Sequence, residues 1–120
     1  MKMNVINAIA TVSVSDCASS TQWYTALFGR QPDSKPMPSV TEWKFPGGGW
    51  LQVAEDGNRA GRSSVTLPTG EIAEVVTRLE ELNIAVDQTL SSEIVKIAMC
   101  EDPDGNRLVF TEPETDEIAQ

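Results

Sequence analysis

The sequence predicts an α+β fold of two βαβββ modules whose strands make a curled mixed sheet around a cavity. Three observations predict it. Short segments alternate apolar and polar residues with period two, the pattern of a half-buried strand. Two amphipathic segments with helical spacing each follow such a strand. A turn-and-strand pattern occurs twice, which duplication of one unit explains most economically. The 120 residues, 40% hydrophobic and 22% charged, suit one globular core. A single domain over residues 1–113 is expected, with modules at about 5–56 and 62–113 and an acidic flexible tail over 114–120.

The elements follow in order. From Val5 to Ser15, Ala10, Val12 and Val14 alternate with Thr11, Ser13 and Ser15, which predicts the first strand. Asp16 reads as an N-cap, because its short carboxylate can accept from the free N–H groups of a first helical turn. Cys17 to Phe28 then carries Trp23, Tyr24, Leu27 and Phe28 at helical spacing, with Gly29 as the stop. Pro32, Pro36 and Pro38 mark a loop. Val40 to Phe45 and Trp50 to Ala54 are strands joined by the turn Pro46-Gly47-Gly48-Gly49. Glu55 to Arg62 is polar and loop-like.

Ser63 to Leu67 alternates again. Ile72, Val75, Val76, Leu79 and Leu82 form the stripe of a second helix, which Asn83 ends. Strands are expected over Ile84–Leu90 and Ile94–Met99. The turn Asp102-Pro103-Asp104-Gly105-Asn106 precedes the last strand, Arg107 to Thr111. The repeat is visible residue by residue. Phe45 to Val53 parallels Asp102 to Phe110, and Ile9-Ala10-Thr11-Val12 parallels Ser64-Val65-Thr66-Leu67.

Alternation sorts the strand residues onto two faces. Ala10, Val12, Val14, Leu51, Val53, Val65, Leu67, Leu108 and Phe110 are expected under the helices. Thr11, Ser13, Trp50, Gln52, Ala54, Ser64, Thr66, Arg107, Val109 and Thr111 face the other way. That second face is polar, largely uncharged and carries an aromatic, which suits a small-molecule cavity.

The net charge of −9 repels nucleic acid and anionic lipid, so neither partner is expected. It favours cationic ligands. Cys17 and Cys100 are too few for a disulfide framework and read as reduced, buried thiols. The start, Met1-Lys2-Met3-Asn4, does not resemble a signal peptide, and no run reaches the ~18 apolar residues of a membrane span. A cytoplasmic location is expected. Histidine is absent, which excludes Ser-His and Cys-His nucleophile pairs. Glu55, Asp56, Glu101 and Asp102 fall at strand ends or in loops, where carboxylates are ordinarily solvated. Gly47-Gly48-Gly49 joins two strands and opens no helix, so it is no phosphate loop.

Three segments resemble the vicinal oxygen chelate superfamily of glyoxalases, bleomycin-resistance proteins and extradiol dioxygenases. Thr11-Val12-Ser13-Val14-Ser15-Asp16, followed by Trp23-Tyr24 and Leu27-Phe28-Gly29, resembles its first strand and helix signature. Glu71 to Leu82 resembles the helix of its second module. Glu101-Asp102-Pro103-Asp104-Gly105-Asn106 resembles its DPxGN turn. The resemblance covers about Asn7 to Pro113. It implies sheets curled around a shared cavity and a homodimer, because short members often build each cavity from two chains; a cavity within one chain and a cavity across the dimer both fit the sequence.

Metal-binding members place His and Glu side chains at four strand positions, which fall here near Ile9, Gln52, Ser64 and Val109. None of these holds a divalent ion well. No metal and no cofactor are therefore expected, and a metal-dependent glyoxalase or extradiol dioxygenase is disfavoured. The expected function is metal-independent binding of a small organic ligand, cationic or aromatic, in the manner of the drug-sequestering members. The alternative is a metal-free lyase or isomerase on a small carbonyl substrate. Expected ligand-binding residues are Thr11, Ser13, Trp43, Trp50, Gln52, Ser64, Thr66, Arg107 and Val109. The tryptophans would give stacking surfaces. No catalytic residue is identified.

Overall fold

The computed structural model describes residues 2–87 and 95–113. Its elements run β1 (Ile9–Val14), α1 (Cys17–Phe28), β2 (Ser34–Met37), β3 (Val40–Lys44), β4 (Trp50–Glu55), β5 (Ser64–Pro68), α2 (Ile72–Glu81), β6 (Val95–Glu101) and β7 (Arg107–Pro113). They form two mixed sheets, one ordered β1-β4-β3-β2 and the other β5-β7-β6, not closed into a barrel.

The two halves repeat one another closely. β1 pairs in parallel with β4, starting at Ile9 and Trp50. β5 pairs in parallel with β7, starting at Ser64 and Arg107. The two hairpin turns share a hydrogen-bond pattern as well. Phe45 N–H donates to the Gly49 carbonyl and Gly48 N–H to the Phe45 carbonyl, each at 2.9 Å. Asp102 N–H donates to the Asn106 carbonyl and Gly105 N–H to the Asp102 carbonyl, again at 2.9 Å.

Both predicted helices form with the expected ends. The Asp16 side chain accepts from Ser19 N–H at 3.0 Å. Hydrogen bonding to the Ser19 side chain, and then to its backbone N–H, holds the Asp16 carboxyl below its usual range. Gly29 takes the left-handed conformation, φ 73°, which costs glycine least. Asn83 also sits at positive φ, 58°, just beyond α2. The first N–H of α2, at Ile72, is met from outside the helix by Glu112 Oε1 at 2.6 Å. This satisfies a donor that the helix itself leaves free.

Three sequence expectations shift. The proline-marked loop contains a strand, β2, antiparallel to β3 with an irregular register. β2 lies at the sheet edge, where Pro36 can sit without a missing ladder donor. The first strand is shorter than Val5–Ser15, because β4 starts opposite Ile9 at Trp50 and the turn beyond it supplies no partner. In the stretch read as a strand over Ile84–Leu90, Asp87 makes an isolated bridge to Met99, and 88–90 lie outside the described residues. Ile94 and the tail over 114–120 lie outside them too.

The core follows the alternation. Val12, Val14, Leu51, Val53, Val65, Leu108 and Phe110 are buried with Tyr24, Leu27, Trp43, Ile72 and Leu79. Ala10 is the exception on that face. It is exposed because it lies where the two halves part. Helix α1 packs on β3 and β4, and α2 on β6 and β7. The α2 residue Arg78 lies against Gly29 at the end of α1, so both helices share one side of the molecule. Edges β1 and β5 meet where Ser13 N–H donates to Ser63 Oγ at 3.2 Å.

Candidate ligand-binding face

With both helices on one side, the polar faces of the two sheets open together on the other. Register fixes the membership. In the first sheet Glu42 lies opposite Gln52, and Lys44 opposite Trp50, while Thr11 lies beside Gln52 across the β1–β4 ladder. In the second, Ser64 neighbours Arg107 and Thr66 neighbours Val109. Met99 completes this side opposite Val109.

A hydrogen-bonded chain organises the first half of this face. Thr11 Oγ1 donates to Gln52 Oε1 at 3.2 Å. Gln52 Nε2 donates to Glu42 Oε2 at 2.8 Å. An ionised carboxylate only accepts, so Glu42 turns the Gln52 amide nitrogen toward itself and leaves the amide oxygen for Thr11. The result is a half-buried carboxylate on a polar face, with its orientation set by neighbours. The Lys44 ammonium lies 5.9 Å from the Trp50 ring centroid, within cation–π range.

The structure brings Thr11, Ser13, Trp50, Gln52, Ser64, Thr66, Arg107 and Val109 onto this side, as alternation expects. Trp43 is corrected. It lies opposite Leu51, on the core face, and is 0% exposed. Its ring packs against Tyr24 and Phe28 with centroids 6.1 and 5.6 Å apart, and its Nε1 donates to the Arg30 carbonyl at 3.1 Å. It offers no stacking surface to a ligand. Across the turn the partner of Trp50 is Lys44.

Glu42 and Met99 were missed. Glu42 alternates with Trp43, so recognising Trp43 as a core residue would have put Glu42 on the polar face. Met99 needed the β6–β7 register, which sequence does not provide.

Asp102 is a second correction. Expected in solvent, it is only 4% exposed and heavily bonded. Its Oδ1 accepts from the N–H groups of Asp104 and Asn106 at 3.0 and 2.9 Å. Its Oδ2 accepts from Tyr24 Oη at 2.7 Å and Asn106 Nδ2 at 2.8 Å. Asn106, 0% exposed, also reaches the Ser13 carbonyl at 2.8 Å and accepts from Ser63 N–H at 2.9 Å. The turn motif therefore ties the two halves together and does not belong to the face.

The resemblance puts the metal-holding strand positions near Ile9, Gln52, Ser64 and Val109. Among the described residues, no three His, Cys, Asp or Glu side chains gather where they could hold a metal. The side chains present do not fit a divalent ion. Cys100 is buried, and burial, helped by the charges of Asp102 and Glu101, pushes its thiol up to about 11. That is the opposite of an activated nucleophile. Among the described residues, no helix is long and apolar enough to cross a membrane.

Comparison with known proteins agrees with this architecture. A glyoxalase/bleomycin resistance protein from Catenulispora acidiphila DSM 44928 superposes with a TM-score of 0.78 at 25% identity, over 90% of this chain and 98% of that one. TnmS3, an antibiotic binding protein from Streptomyces sp. CB03234, superposes with a TM-score of 0.80 at 21% identity, over 95% and 100%. A glyoxalase/bleomycin resistance protein, also from Streptomyces sp. CB03234, gives 0.75 at 24% identity, over 88% and 98%. The search of curated proteins finds no match. The family model for the glyoxalase/bleomycin resistance protein/dioxygenase superfamily matches residues 5–110, and the chain belongs to that superfamily.

Proposed function

We propose that the chain binds a small cationic organic ligand, without a metal, on its polar sheet face, and sequesters it. The observation that carries this reading is the Thr11–Gln52–Glu42 chain, which holds a carboxylate at a fixed orientation on that face. Glu42 supplies the charge, Gln52 and Thr11 the polar contacts, and Trp50 an aromatic surface at the edge. The net charge of −9 steers a cation in the same sense. TnmS3, described as an antibiotic binding protein, has the same fold. The proposed ligand is of that general kind, a cationic aromatic antibiotic or metabolite.

The dimer belongs to the same proposal. Small-molecule sites bury about 70–90% of their ligand. The face of one chain is open on one side, with Thr11, Ser64, Thr66 and Arg107 exposed. A second copy laid against it would supply the missing wall.

A metal-free lyase or isomerase would need a carboxylate free to take a proton. The Glu42 oxygen is already engaged by Gln52, which favours holding a cation over abstracting a proton.

The test is a tryptophan-quenching titration with matched cationic and neutral aromatic antibiotics and metabolites, before and after dialysis against EDTA. Saturable binding of cationic compounds, unchanged by EDTA and weakened by Glu42→Gln, is expected. No saturable binder in the panel, or binding lost with EDTA, would overturn the proposal.

A further inference from the structure

Where the two halves part, a cleft of about 1040 Å³ runs from the helices to the polar sheet face. Its walls are Leu27, Phe28, Phe45, Leu67, Val75 and Phe110. Trp50 and Thr66 of the polar face line it as well, so cleft and face form one continuous surface. Phe28 and Phe45 meet edge to face with ring centroids 5.6 Å apart. Phe28, Phe45, Leu67 and Val75 are only partly buried. The walls therefore keep apolar surface that the core does not cover.

The carboxylates of the cleft are engaged within the chain. Glu112 accepts from Ile72 N–H at 2.6 Å and lies 3.9 Å from the Lys96 ammonium. Glu71 and Glu74 are hydrogen-bonded to each other, and Arg78 lines the cleft beside them. What the cleft offers an occupant is therefore apolar contact. The polar face offers the opposite, the Glu42 carboxylate oriented by Gln52. Trp50 joins the two. Gln52 and Trp50 stand on one face of β4, two residues or about 7 Å apart. Beside Trp50 across the β1–β4 ladder lies Ile9, 51% exposed, and its chain neighbours Ala8 and Ala10 line the cleft. Lys44 flanks Trp50 from β3, on the side away from Ile9. An exposed apolar threshold thus leads from the carboxylate to the apolar walls.

We infer that the ligand is an amphiphilic cation, whose charged head sits at Glu42 and whose apolar body crosses Trp50 and Ile9 into the cleft between the halves. This rests on the reading of the polar face given above and adds a second subsite to it. The cleft is at the upper end of the roughly 300–1,000 Å³ that small-molecule pockets span, which leaves room for an alkyl chain or a fused-ring body. A small cation without such a body meets the polar face alone. An apolar body leaves water for the cleft and gains affinity in proportion to the area it buries. The face and the cleft therefore select together for one molecule that carries both a positive charge and an apolar body.

The test titrates the full chain with n-butyl-, n-hexyl- and n-octyltrimethylammonium by calorimetry, below micelle-forming concentrations. Affinity should rise about three- to fourfold per added methylene, on the order of a hundredfold from butyl to octyl. Val75→Gln and, on the wall from the other half, Phe45→Gln should each cut that rise at least tenfold, with circular dichroism checking that the variants fold. Glu42→Gln should weaken all three ions about tenfold and keep the rise. In NMR spectra the terminal methyl of the octyl ion should show contacts to Val75 and Leu67, and its N-methyl groups to the Gln52 amide. A flat series that still depends on Glu42 would overturn this inference and leave the polar-face reading standing. A rise indifferent to Glu42, or no saturable binding of any of the ions, would overturn both. Contacts of the Val5 or Ile6 methyls with Val75 in the octyl-bound protein would overturn this inference alone, because the chain's own residues 2–6 would then fill the cleft.

Discussion

The hydroxyl of Tyr24, on the helix of the first half, donates a 2.7 Å hydrogen bond to Asp102, in the turn before the last strand of the second. The pair spans 78 residues of chain and joins groups buried on both sides. Burial first, and the Asp102 charge next, push the Tyr24 phenol far above its usual value. Asp102 also carries the two turn N–H groups and the Asn106 amide, and Asn106 ties β1, at the Ser13 carbonyl, to Ser63 just before β5. The Asp102–Asn106 turn thus acts here as the fastener between halves.

Tyr24→Phe should therefore destabilise the chain by about 1.5–3 kcal/mol, the range for a hydrogen bond to a charged group whose buried acceptor is left short of a partner. Urea unfolding checks it. Binding on the polar face should be unchanged in the folded variant. An effect below about 0.5 kcal/mol would show that the remaining Asp102 bonds compensate.

Alkaline pH should weaken the fold in two stages. Tyr24 and Cys100 are both neutral when buried, and both are harder to ionise in the native chain than in the unfolded one. Their contribution is complete below the unfolded values and is lost as pH rises past them. For Cys100 the window runs from 9.0 to about 11. For Tyr24 the loss starts near 10.0 and continues upward. The urea midpoint should hold steady up to about pH 8.5 and then fall. In Cys100→Val the fall should start later, at the tyrosine value.

Gly61→Ala should cost about 2 kcal/mol or more. Gly61 sits at φ +84°, and a Cβ there would collide with the Asp104 carbonyl oxygen, a backbone atom of the same fastening turn. Gly57, where a Cβ would meet nothing within 4 Å, is the control. Gly57→Ala should stay within about 0.5 kcal/mol of wild type. Equal effects at both sites would refute the steric argument.

Asp16→Ala should lower the melting temperature through loss of the N-cap bond to Ser19. The sign with pH follows from the lowered Asp16 value. The advantage of the wild type is present above the usual carboxylate value of 3.8 and is lost as pH falls through and below it. Thermal melts of both proteins at pH 7 and pH 3 should show the gap closing in acid.

Glu42→Gln should weaken a cationic ligand about tenfold, roughly 1.4 kcal/mol, and flatten the dependence of affinity on salt. A neutral aromatic analogue should be affected little. Equal loss for both ligand types would mean that the substitution disturbs the Gln52 orientation and removes no specific charge contact.

Much of the architecture was legible because period-two alternation and local caps are properties of short segments. Asp16, Gly29 and Asn83 mark helix ends by their own backbone chemistry, and the Phe45–Val53 and Asp102–Phe110 segments match in residue type alone. β2 was hidden because Pro36 reads as a strand breaker unless the strand is known to lie at an edge. Trp43 was misplaced because a tryptophan near a turn looks the same whether it faces a ligand or a core.

Sequence alone determined the repeated order of strands and helices, the sorting of Val12, Leu51, Val65 and Leu108 to the core, and the lack of imidazole. Each depends on residue type and near-neighbour spacing. Tertiary structure decided what depends on partners far along the chain. It put Glu42 beside Gln52 through the β3–β4 register and buried Asp102 beneath Tyr24. Those pairings follow from which strand edges meet and which sides the helices cover, and no local pattern carries that information.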